Sequence, residues 1–136
     1  MKSKITVIFS ILVVAFFINC SKSENDSPTT LEGEYEGVFT VKYGNDETLS
    51  NPVQVSLING QFSSSTGANR LPAGGNGKYK VQNTTIEFND ENVWTADFDW
   101  NLILNGEYNY SLTENKLIIS AHKNDVGFYK YELKKK

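Results

Sequence analysis

The sequence predicts an all-β protein in which short antiparallel strands form an up-and-down meander that closes into a small barrel. From Leu31 onward, apolar and polar residues alternate, which is the period of strands that bury one face. Pairs such as Asn-Gly and Asn-Asp recur between these segments and are typical of tight turns. A closed barrel leaves no strand edge exposed, and a sandwich of two sheets is the alternative.

The first half of the domain alternates most clearly. Apolar side chains occupy the odd positions of its first two strand-like segments: Tyr35, Phe39, Val41 and Tyr43, then Val53, Val55 and Leu57. A hairpin turn is predicted at Asn59-Gly60 because this pair readily adopts positive φ at both positions. Gln61 to Ser65 is the predicted returning strand. The glycine-rich stretch from Thr66 to Gly77 is predicted to be a loop.

The second half continues with shorter strands and turns. Its predicted strands are Tyr79 to Val81, Ile86 to Phe88, Phe98 to Leu104, a segment with Tyr108, Tyr110 and Leu112, Lys116 to Ala121, and Val126 to Leu133. Its predicted turns fall at Asn83-Thr84, Asn105-Gly106, Glu114-Asn115 and Asn124-Asp125. The segment Glu91 to Ala96 fits either the start of a strand or a short helical turn. The meander therefore has about eight or nine strands.

The N-terminus differs in texture from this predicted domain. Lys2 and Lys4 precede an almost wholly apolar run from Ile5 to Ile18. The run has the length of a secretory signal peptide and falls short of the roughly 20 apolar residues that span a membrane. The alternative is an uncleaved anchor helix. The chain turns abruptly polar at Cys20, its only cysteine, and Ser21 to Thr30 lacks large apolar residues, which predicts a flexible tether.

The basic start, the apolar run and Cys20 resemble a bacterial lipoprotein signal peptide. The polar residues that follow, with Glu24 and Asp26, are similar to the same region in lipoproteins of Bacteroidetes. The resemblance implies a signal peptide over residues 1–19, a lipidated cysteine and tether over 20–30, and a β-barrel domain over 31–136. It also implies a lipid anchor in the outer membrane, on the periplasmic or the cell-surface face. Lipidation of the sole cysteine leaves no thiol for disulfides, catalysis or metal binding.

A second resemblance covers roughly Leu31 to Leu133. Its motifs are Gly33-Glu34-Tyr35, Ile103-Leu104-Asn105-Gly106-Glu107-Tyr108 and the closing Tyr131-Glu132-Leu133. They resemble the small lipocalin-like lipoproteins of Bacteroidetes, with Tyr35 at the place of the tryptophan that opens true lipocalins. The resemblance implies a lipocalin-like, calycin-type barrel.

Composition argues against several functions. The formal net charge is −3 at pH 7, and the only basic run is Lys134 to Lys136, so we expect no nucleic-acid binding. His122 is the only histidine and has no nucleophile motif near it, so we expect no enzymatic activity. Asp97 and Asp99 would share a strand face and meet one cation, but no calcium-binding loop surrounds them. Neither a metal nor a cofactor is predicted.

The aromatic residues are the best functional lead. Trp94, Phe98 and Trp100 fall at even positions and would share one face of a strand. Tyr108 and Tyr110 would contribute to the same wall. One interpretation is that these rings line the barrel mouth, where an apolar ligand or a sugar ring stacks. The other is that they simply fill the core.

Two functions follow from these interpretations. The first is a cell-envelope lipoprotein whose lipocalin-like domain binds a small hydrophobic or amphipathic ligand near Trp94, Phe98, Trp100, Tyr108 and Tyr110. The alternative is a non-catalytic structural or interaction lipoprotein that presents its loops to an envelope protein or a glycan. Full packing of the tryptophan rings would remove ligand binding inside the barrel, whereas a cavity of roughly 300 Å³ beside them would support it.

Overall fold

The computed structural model describes residues 30–136, so the predicted signal peptide and Cys20 lie outside the described residues. The described chain is organised as eight strands. They are β1 (Gly33–Tyr43), β2 (Thr48–Ile58), β3 (Gln61–Ser64), β4 (Gly75–Val81), β5 (Thr85–Asp90), β6 (Gly106–Thr113), β7 (Lys116–Lys123) and β8 (Gly127–Lys135). Two short 3₁₀ helices, Ala68–Arg70 and Trp100–Leu102, interrupt the long connections.

Each strand pairs antiparallel with the next one along the chain, and the sheet closes on itself. Closure is made by β1 and β8, whose register runs from Tyr35 opposite Lys135 to Tyr43 opposite Gly127. The all-β prediction and the up-and-down closed barrel are therefore confirmed. The structure is a barrel rather than the alternative two-sheet sandwich.

The hairpin turns follow the predicted turn chemistry. Asn59 and Gly60, which join β2 to β3, have φ values of 52° and 74°, as a turn with two left-handed central residues requires. Glu114 between β6 and β7 also has positive φ, as do Asn124 and Asp125 between β7 and β8. Asparagine, aspartate and glycine tolerate this region better than other residues do.

The interior of the barrel is filled by large side chains. Because side chains alternate across a strand, the odd-numbered residues of β1 and β2 point inward. The largest fully buried side chains are Tyr35, Tyr108, Tyr129, Tyr131, Phe39, Phe88, Leu57, Ile86, Leu104, Leu117, Ile119 and Leu133. An eight-stranded barrel is just wide enough for side chains to fill it or for one small ligand, and here side chains occupy it.

The two ends of the barrel differ. The β2–β3, β4–β5 and β6–β7 turns lie at one end, which we call the hairpin end, together with the start of β1 and the end of β8. The connections 65–74 and 91–105 lie at the opposite end, which we call the loop end. No helix among residues 30–136 is long and apolar enough to span a membrane.

The predicted strand from Phe98 to Leu104 is wrong. Residues 91–99 are irregular, Trp100–Leu102 is a 3₁₀ helix, and Gly106 begins β6 instead of closing a hairpin. Local side-chain bonds account for the difference, because Asp99 accepts a hydrogen bond from the Asn101 amide at 2.9 Å and caps the turn. The barrel is complete without this segment, since β5 pairs directly with β6.

The predicted loop from Thr66 to Gly77 is shorter in the structure, which begins β4 at Gly75. Gly75 and Gly77 lie in β4 opposite Ser64 and Phe62 of β3. A Cβ atom at residue 77 would lie 2.0 Å from the carbonyl oxygen of Asn89. Glycine is therefore required there by close approach of β5, and its presence in the sequence misleadingly suggested a loop.

Candidate functional site

The five predicted ligand-binding residues do not form one wall. Trp94, Phe98 and Trp100 lie in the 91–105 connection at the loop end. Tyr108 points into the barrel, and Tyr110 lies nearer the hairpin end of the same strand. The proposed common face depended on a strand that does not exist, and only the first three residues are brought together.

Tyr108 is a core residue. It is 1% exposed, and its ring packs edge-on against Phe88 and Tyr131, with centroids 5.7 and 6.2 Å away. Burial raises the pKa of its hydroxyl well above the usual value. The interpretation that the aromatics fill the core therefore holds for this residue.

Tyr110 is half-buried and lies on β6 opposite Ile119 of β7. Its hydroxyl donates to the carbonyl oxygen of Asn83 at 3.4 Å, in the β4–β5 turn. This places Tyr110 at the hairpin end, away from the two tryptophans.

Trp94 is half-buried, and its ring is held in place from both sides. Its indole Nε1 donates to Asp90 Oδ2, while Asp90 Oδ1 accepts from the Asn76 amide at 2.8 Å. The Phe98 ring packs against it at 62°, with centroids 5.6 Å apart. Because β5 ends at Asp90, the barrel wall itself fixes the orientation of Trp94.

Trp100 is 56% exposed, although its polar edge is satisfied. Its Nε1 donates to the carbonyl oxygen of Thr95 at 2.9 Å. The only hydrogen-bond donor of each tryptophan side chain is therefore used within the protein, by Asp90 for Trp94 and by Thr95 for Trp100. Trp100 leaves much of its apolar surface facing solvent.

Arg70 joins this group and was not among the predicted site residues. Its Nη1 donates to Asp97 Oδ1 at 3.0 Å and to Thr95 Oγ1 at 3.3 Å. Its guanidinium carbon lies 4.7 Å from the Phe98 ring centroid, within range of a cation–π contact. The available signal was that Arg70 is the only arginine in a chain that otherwise uses lysine.

A cleft of about 220 Å³ opens between the two loops at this point. It is lined by Thr66, Arg70, Ala73, Val93, Trp94 and Thr95. Val93 is 99% exposed at its rim. Hydrogen bonds from Thr95 and Arg70 lower the pKa of the Asp97 carboxyl, so the group is ionised near neutral pH.

The loops that form the cleft are tied to each other and to the barrel. The Ala73 amide donates to Leu102 O and the Leu104 amide to Gly74 O, both at 2.9 Å. The Asn51 side chain on β2 donates to Leu71 O at 2.7 Å. These bonds make the loop end a fixed surface.

Lys123 on β7 also holds the 91–105 connection to the barrel. Its ammonium donates to three backbone carbonyls, those of Asn101, Ile103 and Asn105, at 3.1 to 3.2 Å. It also lies 4.7 Å from the Tyr108 ring centroid. Burial lowers the pKa of Lys123 to about 8, against the influence of Asp99. Lys123 therefore fastens the second half of the 91–105 connection to the barrel core.

Other chemistry-bearing side chains are dispersed. His122 is exposed and packs against Phe128, with ring centroids 4.7 Å apart. Asp97 contacts Arg70, while Asp99 caps the 3₁₀ helix and accepts from the Tyr129 hydroxyl. Within residues 30–136, no three His, Cys, Asp or Glu side chains are grouped to hold a metal.

Larger clefts of 340, 600 and 420 Å³ lie along the wall formed by β1 to β4. Another, of 450 Å³, lies beside the turns that precede β2 and β8. None of these four clefts is lined by a tryptophan. In comparisons with known proteins, no family model, no curated protein and no solved structure matches this chain.

Proposed function

We propose that this chain is a non-catalytic, lipid-anchored lipoprotein of the cell envelope that binds a small amphipathic ligand at the loop end of a lipocalin-like barrel. The observation that carries the proposal is the placement of the tryptophans. Trp94 and Trp100 are anchored by their indole N–H groups while Trp100 is 56% exposed. Large aromatic rings held outside the core are typical of recognition surfaces.

The packed interior supports binding outside the barrel. Tyr108, Tyr129 and Tyr131 are each at most 1% exposed. The Tyr108 ring packs against that of Tyr131, and the Lys123 ammonium lies against the rings of both Tyr108 and Tyr129. Protein interiors packed in this way leave few voids larger than a water molecule. A ligand in the lumen would have to displace several of these rings at once.

The position of the tether supports display of the loop end away from the membrane. Thr30 O accepts from Lys135 Nζ at 3.4 Å, and Leu31 O accepts from the Tyr35 hydroxyl at 2.6 Å. Both contacts lie at the hairpin end. With Cys20 in the outer membrane, a tether over residues 20–30 of at most about 35 Å would join the lipid to the hairpin end, and the loop end would lie at the far end of the barrel from this attachment.

Native mass spectrometry of the purified mature protein tests the location of binding. We expect the mass of the chain with its N-terminal lipid and no retained apolar molecule, because the lumen has no room for one. A stoichiometric apolar molecule that stays bound after Trp94→Ala and Trp100→Ala would contradict the proposal.

The anchor is tested separately by labelling cells with radioactive palmitate. We expect the label on the wild-type protein and on a Ser21→Ala control, and no label on Cys20→Ser. A labelled Cys20→Ser protein would remove the lipoprotein part of the proposal and leave the binding surface unaffected.

A further inference from the structure

We infer that the cleft between the two loops, lined by Thr66, Arg70, Trp94 and Thr95, binds one ring of a neutral glycan. This inference rests on the proposed function and names its ligand class. It combines three features of the cleft, which are a fixed aromatic ring, a paired hydrogen-bond donor and acceptor, and a small volume.

The aromatic part is prepared for stacking before any ligand arrives. A sugar ring has an apolar face of C–H groups, and such a face packs on an aromatic ring. The Trp94 ring is fixed by Asp90 and Phe98, and Trp100 is fixed by Thr95 beside the cleft. Because the rings are already ordered, binding loses little side-chain entropy.

The polar part matches the rim of hydroxyl groups on a sugar. Each hydroxyl both donates and accepts, so a binding site needs donors and acceptors side by side. Arg70 lines the cleft and supplies N–H donors. Asp97 lies beside the lining, bonded to Arg70, and supplies carboxylate oxygens with 69% of its side chain exposed. Thr95 bonds to both of them, which holds the set together.

Charge favours a neutral glycan over an acidic one. Arg70 is paired with Asp97, and Asp90 and Asp99 lie in the same loop region. An anionic sugar would meet several carboxylates and a cation that is already neutralised. A neutral ring meets no such repulsion.

Size favours a single ring over an acyl chain. The cleft of about 220 Å³ is smaller than the roughly 300 Å³ at which pockets begin to hold drug-sized molecules. Half of its six lining residues are polar, whereas an acyl chain needs an apolar channel. A short cleft with both polar and apolar lining residues, open to solvent, suits one sugar unit of a longer glycan.

The backbone around Arg70 holds its side chain in position beside the cleft. Asn69 and Arg70 have φ values of 55° and 57°, a left-handed conformation that is uncommon for arginine. Asn51 holds this turn through Leu71 O and Ala68 O. The turn delivers the guanidinium over the Phe98 ring, next to the cleft.

Intrinsic fluorescence tests the inference directly, because Trp94 and Trp100 are the only tryptophans in the chain. The mature protein, in a detergent without a sugar headgroup, is titrated with neutral gluco-, manno-, galacto- and chito-oligosaccharides of two to four units. We expect a saturable change in emission with at least one series, at micromolar to millimolar concentration.

Variants connect the signal to the cleft. We expect Trp94→Ala, followed through Trp100, to weaken binding at least about tenfold, the equivalent of ~1.4 kcal/mol. Arg70→Lys keeps the charge but loses the planar fork, and we expect the same direction of change. Ile58→Ala, which truncates an exposed apolar side chain at the hairpin end, and Lys116→Ala serve as matched controls with unchanged affinity.

The outcomes separate this inference from the proposed function. Absence of any response at millimolar sugar, preference for acidic sugars, or binding that survives Trp94→Ala and Arg70→Lys would each overturn the glycan site. If the same protein instead retains an apolar molecule in native mass spectra, and Trp94→Ala releases it, the ligand class is wrong and loop-end binding stands. An apolar molecule that stays bound in both the Trp94→Ala and the Trp100→Ala variants would overturn the glycan site and the proposed loop-end binding. Circular dichroism confirms that each variant is folded.

Discussion

Tyrosine side chains do much of the filling of this barrel. Tyr35, Tyr108, Tyr129 and Tyr131 are each at most 1% exposed, and the hydroxyls of Tyr35 and Tyr129 reach Leu31 O and Asp99 Oδ2. Among residues 30–136, no buried side-chain nitrogen or oxygen lacks a hydrogen-bond partner. The interior is apolar, and its buried polar atoms already have hydrogen-bond partners, so it offers a ligand no unpaired polar group to bind.

Truncation of Tyr108 tests the packed lumen. We expect Tyr108→Ala to lower the free energy of unfolding by roughly 3–5 kcal/mol, because it removes a large buried ring and leaves a cavity. Urea unfolding followed by circular dichroism measures the change. The control is Trp100→Ala, which removes a ring that is 56% exposed and should cost only about 1 kcal/mol.

A loss below about 1 kcal/mol for Tyr108→Ala would mean that the lumen is loosely filled. Such a barrel would have room for a ligand. In that case the proposed binding site would have to move from the loops to the interior.

Lys123 gives the protein a pH dependence of definite sign. Burial lowers its pKa from the usual 10.5 to about 8, so between these values the unfolded chain binds more protons than the folded one. The free energy of unfolding therefore rises as pH increases from 8 toward 10. The groups that face Lys123 are Asp99 and the rings of Tyr108 and Tyr129.

The buried tyrosines have the opposite effect on the free energy of unfolding at higher pH. Burial raises the pKa of Tyr108, Tyr129 and Tyr131, so above about pH 10 the unfolded chain loses protons that the folded chain keeps. Stability falls as pH rises further. We expect the free energy of unfolding, measured with urea at successive pH values, to have a maximum near pH 10.

The Lys123→Met variant should lose the rise between pH 8 and 10 and keep the fall above pH 10. A free energy of unfolding that declines steadily from pH 8 in the wild type would contradict the role of Lys123.

Strands were predictable where alternation and turn chemistry agreed. The odd-numbered residues of β1 and β2 and the Asn59-Gly60 turn needed only local sequence. In these elements local preference and overall packing agree, because the same side chains that favour a strand also fill the core. Alternation also predicted the β6 segment with Tyr108, Tyr110 and Leu112, of which the structure buries Tyr108 fully and the other two partly.

The 91–105 connection could not be predicted in the same way. Trp94, Phe98 and Trp100 alternate as a strand does, yet hydrogen bonds from the indoles to Asp90 and Thr95 fold the segment back on itself. Its position also depends on Lys123, 18 or more residues away. Contacts at this sequence distance leave no periodic signal.

Glycines inside β4 make a testable distinction between strand and turn. We expect Gly77→Ala to destabilise the protein by about 1–3 kcal/mol, because the new Cβ would lie 2.0 Å from Asn89 O. Gly44→Ala is the control, since nothing lies within 4 Å of a Cβ there. Thermal unfolding should show a lower midpoint for Gly77→Ala only, and equal midpoints would contradict the β4–β5 pairing.

The barrel as a whole separates the start of the described chain from the candidate binding surface. Residue 30 and the end of β8 lie at the hairpin end, and the two long connections lie at the other. The fold class followed from the sequence because closure of a regular meander needs only alternation and short turns. The candidate site did not, since it arises where two distant connections meet, through Ala73 and Leu102.

The exposure of the two tryptophans decides between a loop-end surface and a lumen site. Because Trp94 and Trp100 are the only tryptophans, acrylamide quenching of fluorescence excited at wavelengths that tyrosine does not absorb reports on them alone. With Trp100 56% exposed and Trp94 half-buried, we predict red-shifted emission, efficient quenching, and a weaker quenching constant in Trp100→Phe. Blue-shifted emission that acrylamide barely quenches would place both rings inside the barrel and contradict the loop-end surface.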